Sequence, residues 1–315
     1  MESQQMPILV GPYFKVGPKL GEGSFGELRL GVNLKSQEMV AIKFEPLNSG
    51  ETHLQSEYET YKKIGEAEGF PRIYYYGLCG KYNCLVLQLL GKSLEDLFDL
   101  CNRKFSLKTV VQIAIQIIDR FENLHDRNYV YCDIKPQNFL LGCNSKANII
   151  HLIDFGMAKE YRDPDTGRHC IYSQSGKVLG TVRYLSLNTN FGHEHSRRDD
   201  LEAFGYMLIY FFKGELPWQG LHIKDQREKI RRIGKMKQTM PIEDICKGCP
   251  KEFEEFLSYC RKLSFFEIPD YDFLRKLFKN LFEKGFANDN IYDWTLKIQA
   301  EELKKDNKPD DRSIF

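Results

Sequence analysis

The stretch 131–156, YCDIKPQNFLLGCNSKANIIHLIDFG, constrains this chain more than any other. It carries Asp133, Lys135 and Asn138, then a short apolar run and a polar turn at Asn144, Ser145 and Lys146. A second apolar run at 149–153 leads into Asp154-Phe155-Gly156. Two short apolar runs joined by polar residues predict a β-hairpin. The ends of a hairpin lie together, so Asp133 and Asn138 should sit near Asp154. An amide and a carboxylate converging on one point can hold a hard cation such as magnesium through oxygen. Asp133 is then left to accept a proton from a hydroxyl nucleophile. The outline is that of a phosphoryl-transfer site.

The 315 residues suffice for one large domain or two modest ones, and 42% apolar with 28% charged residues describes an ordinary globular chain. Because 45 basic residues face 44 acidic ones, no general pull towards nucleic acid or an anionic membrane is expected, and any electrostatic specificity must come from local clusters. Nine cysteines at irregular spacing, behind an N-terminus unlike a signal peptide, read as reduced thiols of an intracellular protein. Cys246 and Cys249 have CxxC spacing but no second ligand pair, and a structural zinc needs four ligands. No apolar run approaches the roughly 20 residues of a membrane span. The longest, 204–212, suits a buried helix. Neither end reads as a lipidation motif.

Residues 1–11 are expected to be a loose arm. From Tyr13 the chain turns strand-like and enters Gly21-Glu22-Gly23-Ser24-Phe25-Gly26, after which Glu27 to Leu30 alternate polar and apolar. A glycine turn between strands lets backbone N–H groups approach phosphate, although a glycine hairpin without a ligand would look the same. A dinucleotide-binding fold would follow these glycines with a helix, and a P-loop would follow them with Gly-Lys-Ser/Thr. Neither is present. Lys43 lies inside the apolar strand 39–44, where an unpaired ammonium is unfavourable. Its partner should be on the helix predicted at 54–64. There Glu57 shares a face with Leu54, Tyr61 and Ile64, while Glu59 points elsewhere.

Two strands follow at 72–76 and 84–89, joined by a turn containing Gly80 and Asn83. The pattern breaks at Leu90-Gly91, where a domain boundary is expected. Ser93 then caps an acidic helix start. A long helix at 107–125 carries the apolar stripe Val110, Ala114, Ile117, Ile118, Phe121 and Leu124. The polar segment 158–190 is long for a loop in a compact domain, and such loops are usually functional. Ser196 to Glu202 precede an apolar helix at 204–212, which ends before Leu216-Pro217-Trp218-Gln219-Gly220. From His222 to Lys237 seven cations face only Asp225 and Glu228. Such a run reads as a solvated helix face. Two further helices, near 252–263 and 271–286, finish the fold, and the charged tail from Glu301 should fray.

Glycine hairpin, strand lysine, helix glutamate, Asp-x-Lys-Pro-x-x-Asn and Asp-Phe-Gly, in that order, resemble the eukaryotic protein kinases over residues 13–286. Within them, Leu89 to Phe98 (LLGKSLEDLF), Gly180 to Tyr184 (GTVRY), Ser196 to Glu202 (SRRDDLE) and Leu216 to Gly220 (LPWQG) look like the casein kinase 1 family. So does Ser186-Leu187-Asn188 in place of Ala-Pro-Glu, and Tyr131 resembles the gamma branch.

The resemblance implies an α+β, bilobal kinase fold, with a small antiparallel β-rich N-lobe and a larger, mainly helical C-lobe. The expected division is an arm at 1–11, an N-lobe at 12–90, a C-lobe at 91–300 and a tail at 301–315. It implies phosphate transfer from ATP, with magnesium, to serine or threonine. Gly21, Gly23 and Gly26 would cover the phosphates, and Lys43, paired with Glu57, would contact them. Leu20, Leu28, Ala41, Leu87, Gln88, Leu90 and Leu141 would surround the nucleotide, with the Leu90 backbone on the adenine. Asp133 would orient the hydroxyl and accept its proton. Lys135 would stabilise the transferring group, Thr181 would hydrogen-bond both, and Asn138 and Asp154 would bind the metal. Arg183, Gly220 and Lys229 match the positions that bind an acidic or phosphorylated residue three positions before the target. Arg231, Arg232, Lys235 and Lys237 would be only solvated.

Departures from the pattern carry expectations too. Tyr131-Cys132-Asp133 replaces His-Arg-Asp. The missing arginine normally anchors a phosphate on the activation segment, so activity without that phosphorylation is expected, and Cys132 is expected to loosen the segment. Gln88 replaces a glutamate and removes a hinge charge. The alternative is a pseudokinase, an interaction module binding nucleotide or phosphopeptide without turnover. Cys132 alone favours it, against an intact Lys43, Asp133, Asn138 and Asp154. The expected partners are protein substrates, not nucleic acid or a membrane span, for a monomer in the cytoplasm and also the nucleus. Little follows Phe286, so autoinhibition by a tail is not expected.

Overall fold

A computed structural model of the chain describes residues 8–23, 26–47, 53–282, 285 and 287–306. Strands β1 (Leu9–Val10), β2 (Phe14–Gly23), β3 (Gly26–Asn33), β4 (Met39–Pro46), β5 (Ile73–Cys79) and β6 (Tyr82–Gln88) form an antiparallel sheet in the order β1-β2-β3-β4-β6-β5. Successive side chains of a strand point to opposite faces. In β4 this sends Val40, Ile42 and Phe44 into a core with Val10, Phe14, Cys84 and Val86. Ala41 and Lys43 fall on the other face, towards helix α1 (His53–Ile64). That alternation accounts for a lysine inside an apolar strand. Gly26 is needed for packing as well as for any ligand, because a Cβ there would collide with the Phe44 carbonyl.

Two expectations about this lobe are corrected. Part of the presumed loose arm is β1, with Leu9 opposite Lys15 and Val10 opposite Phe14. Two residues are too short a run to announce a strand, but the edge of β2 offers them a ladder and Val10 is fully buried. Residues 1–7 lie outside the described residues. The turn between β5 and β6 is Gly80-Lys81, so Asn83 belongs to β6.

The second lobe contains α2 (Leu94–Leu100), α3 (Leu107–Asp126), β7 (Tyr129–Val130), β8 (Phe139–Leu141), β9 (Ile150–Leu152), β10 (Lys159–Glu160) and α4 (Leu187–Asn190). It continues with α5 (Arg197–Lys213), α6 (Gln226–Thr239), α7 (Ile242–Ile245), α8 (Lys251–Lys262), α9 (Tyr271–Phe282) and α10 (Asp293–Asp306). Ser93 caps α2 as expected, its Oγ accepting the Asp96 N–H at 3.1 Å while Asp96 accepts the Ser93 N–H at 3.0 Å. The predicted stripe of α3 is wholly buried and packs against α5 and α9.

Helix α5 starts at Arg197, two turns before the expected 204. Its first turns are charged yet buried, because Asp199, Asp200 and Glu202 each find donors inside the lobe. Helix α9 ends at Phe282, and the expected terminus at Phe286 lies outside the described residues. Helix α10 was not expected, and the presumed frayed tail is helical as far as Asp306. Its anchor is Trp294, stacked on Tyr292 at 4.5 Å and edge-on to Phe105 at 5.3 Å. Residues 307–315 lie outside the described residues.

Candidate active site

Strands β8 and β9 pair Phe139 with Leu152 and Leu141 with Ile150, with one helical turn at Asn144–Lys146 between them. The Ile153 N–H donates to the Asn138 carbonyl at 3.0 Å. The hairpin therefore delivers Asp154 beside Asn138. Asp133 is buried and engaged on both carboxylate oxygens. Oδ1 accepts Thr181 Oγ1–H at 2.8 Å, and Oδ2 accepts Lys135 Nζ at 2.6 Å and Asn138 Nδ2 at 3.3 Å. Asn138 Nδ2 also donates to the Asp133 carbonyl at 3.0 Å. Thr181 belongs to a segment that must pass close to this loop. Gly180, at φ +102°, makes that possible, since a Cβ would strike the Cys132 carbonyl.

Lys43 Nζ lies 2.6 Å from Glu57 Oε1 and 4.0 Å from Asp154 Oδ1. Burial works against its ammonium, but the two carboxylates more than offset this and hold its pKa above the ordinary lysine value. Burial likewise raises the Glu57 carboxyl, with Lys43 opposing. Asp154 is fixed by its neighbours. Its N–H donates to Tyr61 Oη at 3.3 Å, and Phe155 is clasped edge-on by Tyr61, Phe70 and Tyr131, at 4.8, 5.7 and 5.7 Å. Tyr131 Oη donates to the Ile153 carbonyl at 2.6 Å, so the tyrosine in place of histidine bolts the catalytic loop to the β9 exit.

Asp200, at the start of α5, holds that loop from below. Its carboxylate accepts the N–H groups of Tyr131 at 2.7 Å and Cys132 at 3.0 Å. His125 and His195 place Nε2 at 3.0 and 2.9 Å from it. Burial alone would push the Asp200 carboxyl up, but the His195 charge and the imidazole hydrogen bonds bring it well below the carboxylate range. Burial opposes the His195 imidazolium, which Cys132 and Asp200 nonetheless raise well above the usual histidine value.

Cys132 is buried at φ +71° in a cluster with Val130, Tyr161 and Cys170. The activation segment is tied down nearby by other means. Lys159 pairs with Glu194, whose N–H donates to the Ser173 carbonyl at 2.8 Å. All nine cysteines are free.

The Lys43–Asp154 side of the site opens into a cleft of about 410 Å³, lined by Gly21, Gly26, Leu28, Glu57, Lys135 and Asn138 among others. Gly23 stands opposite Gly26 in the β2–β3 register; Ser24 and Phe25 lie outside the described residues. Leu20, Ala41, Leu87, Gln88, Leu90 and Leu141 do not line this cleft. Ala41 pairs with Leu87 across β4 and β6, and Leu141 is tied to the interlobe segment by Gly91 N–H to its carbonyl at 2.8 Å. Among the described residues no hydrogen bond engages the main chain of Leu90, which leaves it open to an adenine edge. Gln88 turns its side chain away, Oε1 accepting the Arg72 N–H at 3.2 Å.

Of the three anion-binding candidates, Arg183 lies half-buried against Tyr184 and Tyr210, its Nη1 3.2 Å from Tyr210 Oη. Gly220 closes the loop whose Trp218 donates its indole N–H to the Arg183 carbonyl at 2.7 Å. Lys229, early in α6, makes no ion pair among the described residues. Lys237 contradicts the sequence reading: it is fully buried, because it projects from the same face as Ile233 one turn earlier.

The chain matches the protein kinase domain family over residues 14–267. Casein kinase I homolog 3 of Schizosaccharomyces pombe is 49% identical over 291 residues, covering 91% of this chain and 66% of the relative. The chain belongs to the casein kinase I family of protein kinases. Homologs 2 and 1 of that yeast are 48% and 49% identical, with 67% and 65% of their lengths covered. The chain thus spans about two thirds of the length of the curated relatives it matches. Membership implies ATP as substrate and protein as acceptor.

The site offers a metal two oxygen-bearing side chains, Asn138 and Asp154, fewer than the six ligands magnesium takes. Among the described residues no group of three His, Cys, Asp or Glu could hold a metal by itself. The donor set fits a magnesium ion completed by nucleotide phosphates and water. No helix among the described residues is long and apolar enough to cross a membrane.

Sequence reasoning missed Asp200, the Tyr131 hydroxyl and the buried role of Lys237. The SRRDDLE run announced a capped helix, but nothing in it separates Asp200 from Asp199. Ile233 and Met236 beside Lys237 were a usable signal that this part of α6 is not a solvated face.

Proposed function

We propose that this chain is a serine/threonine protein kinase that phosphorylates acidic or pre-phosphorylated protein substrates. The observation that carries the reading is Asp133, held between Thr181 on one oxygen and Lys135 on the other. Asp133 accepts the proton of the substrate hydroxyl as the new oxygen–phosphorus bond forms and the bond to the β-phosphate oxygen breaks, releasing ADP. Lys135 faces the negative charge of the transferring group, and Lys43, kept charged by Glu57, faces the phosphates behind it. Asn138 and Asp154 would hold magnesium, which when bound would supply charge neutralisation on the phosphates. Catalysis here is mainly positioning and electrostatics. No observation favours the pseudokinase reading.

Arg183, Lys229 and the Gly220 N–H receive the anion upstream of the target, through charge-assisted hydrogen bonds. The test uses magnesium-ATP and two peptides identical except for a phosphoserine three residues before the target serine. Preference for the primed peptide, lost in Arg183→Ala and Lys229→Ala, is expected. Equal turnover of both peptides would remove the anion site, and no turnover with nucleotide still bound would remove the kinase.

A further inference from the structure

Lys237 is a fully buried lysine whose ammonium makes no ion pair among the described residues. Its Nζ donates to the Leu185 carbonyl at 2.6 Å and to Asn190 Oδ1 at 3.0 Å. The ammonium also lies over the rings of Tyr206 and Trp218, 4.9 and 4.8 Å from their centroids. Burying a charge in this way is unfavourable unless its hydrogen bonds and neighbours compensate, so its placement calls for a use. Leu185 sits two residues after Arg183, and Trp218, under the Lys237 ammonium, holds the Arg183 carbonyl at 2.7 Å. One cation therefore grips the main chain of the recognition segment directly at Leu185 and indirectly, through Trp218, at Arg183.

We propose that Lys237 is a positioning residue for substrate recognition: it fixes the 183–185 backbone so that the Arg183 guanidinium meets the upstream anion of the substrate. The inference rests on the anion site described under Proposed function. It places a substrate-specificity element in the interior of α6, on the face opposite the exposed cations Arg231, Arg232 and Lys235.

The chemistry around Lys237 makes its grip sensitive to pH. Burial lowers its pKa to about 7, with the Glu202 carboxylate of α5 and the Arg261 guanidinium of α8 acting in opposite directions. Glu202 is already committed to the Leu187 N–H, Tyr206 Oη and Arg261, at 2.9, 2.6 and 3.3 Å. Above that pH the neutral amine still reaches Leu185 but loses its charge-assisted bonds and its attraction to the two rings. Asn190 offers a way to lock the charged state. Its Nδ2 is buried without a hydrogen-bond partner, so Asn190→Asp gives up no bond and supplies Lys237 with a counter-charge.

The experiment measures kcat/KM from pH 6 to 8.5 on two peptides that carry aspartate or alanine three residues before the target serine. The aspartate stays charged throughout, so the substrate does not titrate. For the wild type the aspartate-to-alanine ratio should fall as pH rises through about 7. In Asn190→Asp it should stay at its low-pH value. In Lys237→Met it should be flat with pH and about tenfold below the low-pH wild-type value, through KM for the aspartate peptide, with the KM for ATP unchanged. A wild-type ratio in Lys237→Met overturns the proposal. If that variant does not fold, Asn190→Leu, which takes one of its two acceptors from the ammonium, serves in its place, and an unchanged ratio at every pH in that variant overturns the proposal. A wild-type ratio of one at every pH removes the anion site itself, and this inference with it.

Discussion

Thr181→Val isolates one hydrogen bond of the catalytic centre. Valine keeps the shape of threonine and removes only the hydroxyl that donates to Asp133 Oδ1 at 2.8 Å. A hydrogen bond to a charged group contributes about 1.5–3 kcal/mol, and each 1.4 kcal/mol in a barrier is about tenfold in rate. Asp133 keeps Lys135 at 2.6 Å and Asn138 at 3.3 Å on its other oxygen, so the carboxylate loses one of the three side-chain contacts that fix its plane. We expect kcat to fall by about 10- to 100-fold. The KM for ATP should not change, since Thr181 does not line the nucleotide cleft. Thr181→Ser, which restores the hydroxyl, should recover most of the rate. Steady-state kinetics on a serine peptide at saturating magnesium-ATP reads all three. A valine variant within about twofold of wild type would refute the reasoning, and equal damage from serine and valine would assign the effect to packing of the methyl group.

Asp200→Asn should reduce both activity and stability, by about 3 kcal/mol or more in urea, because one buried charge serves four donors. The folded Asp200 carboxyl is depressed, so its contribution is present above the unfolded value of about 3.9 and is lost as pH falls. His195 is raised, so its contribution is complete below about 6.5 and is lost as pH rises through its folded value. Urea midpoints against pH should show these two flanks in the wild type and lose them in the variant. Glu194→Ala, which frees Lys159, should lower kcat, while phosphatase treatment of the wild type should leave activity intact; a large loss after phosphatase would contradict the internal ion pair as the tether. Trp294→Ala should destabilise by about 3–5 kcal/mol and lower the melting temperature with kcat unchanged, unless α10 is not docked on Phe105.

The parts of this site that are written locally were legible in the sequence. The β8–β9 hairpin, the Lys43–Glu57 pair and the Ser93 cap each depend on a few residues whose spacing sets the geometry. Thr181 is different: it reached Asp133 from 48 residues away, and only the family resemblance pointed to it. The failures have a common cause. Strand β1 exists because β2 presents an edge, Asp200 matters because two distant N–H groups converge on it, and Lys237 is buried because Trp218 and Tyr206 close over it. In each case tertiary neighbours override the local pattern, as they do for α10, whose polar sequence hides one anchoring tryptophan. Gln88 shows the reverse, a departure that looked electrostatic and whose side chain faces away from the cleft.

The most direct test of the account is phosphate transfer from γ-labelled ATP to a serine peptide by the wild type and by Asp133→Asn. The substitution keeps the volume and removes the base. With magnesium present, the wild type should phosphorylate serine, and the variant should bind nucleotide equally well yet transfer phosphate more slowly by about three or more orders of magnitude. Transfer that survives in the variant at a comparable rate would contradict the assignment of Asp133 and, with it, the mechanism built on this site.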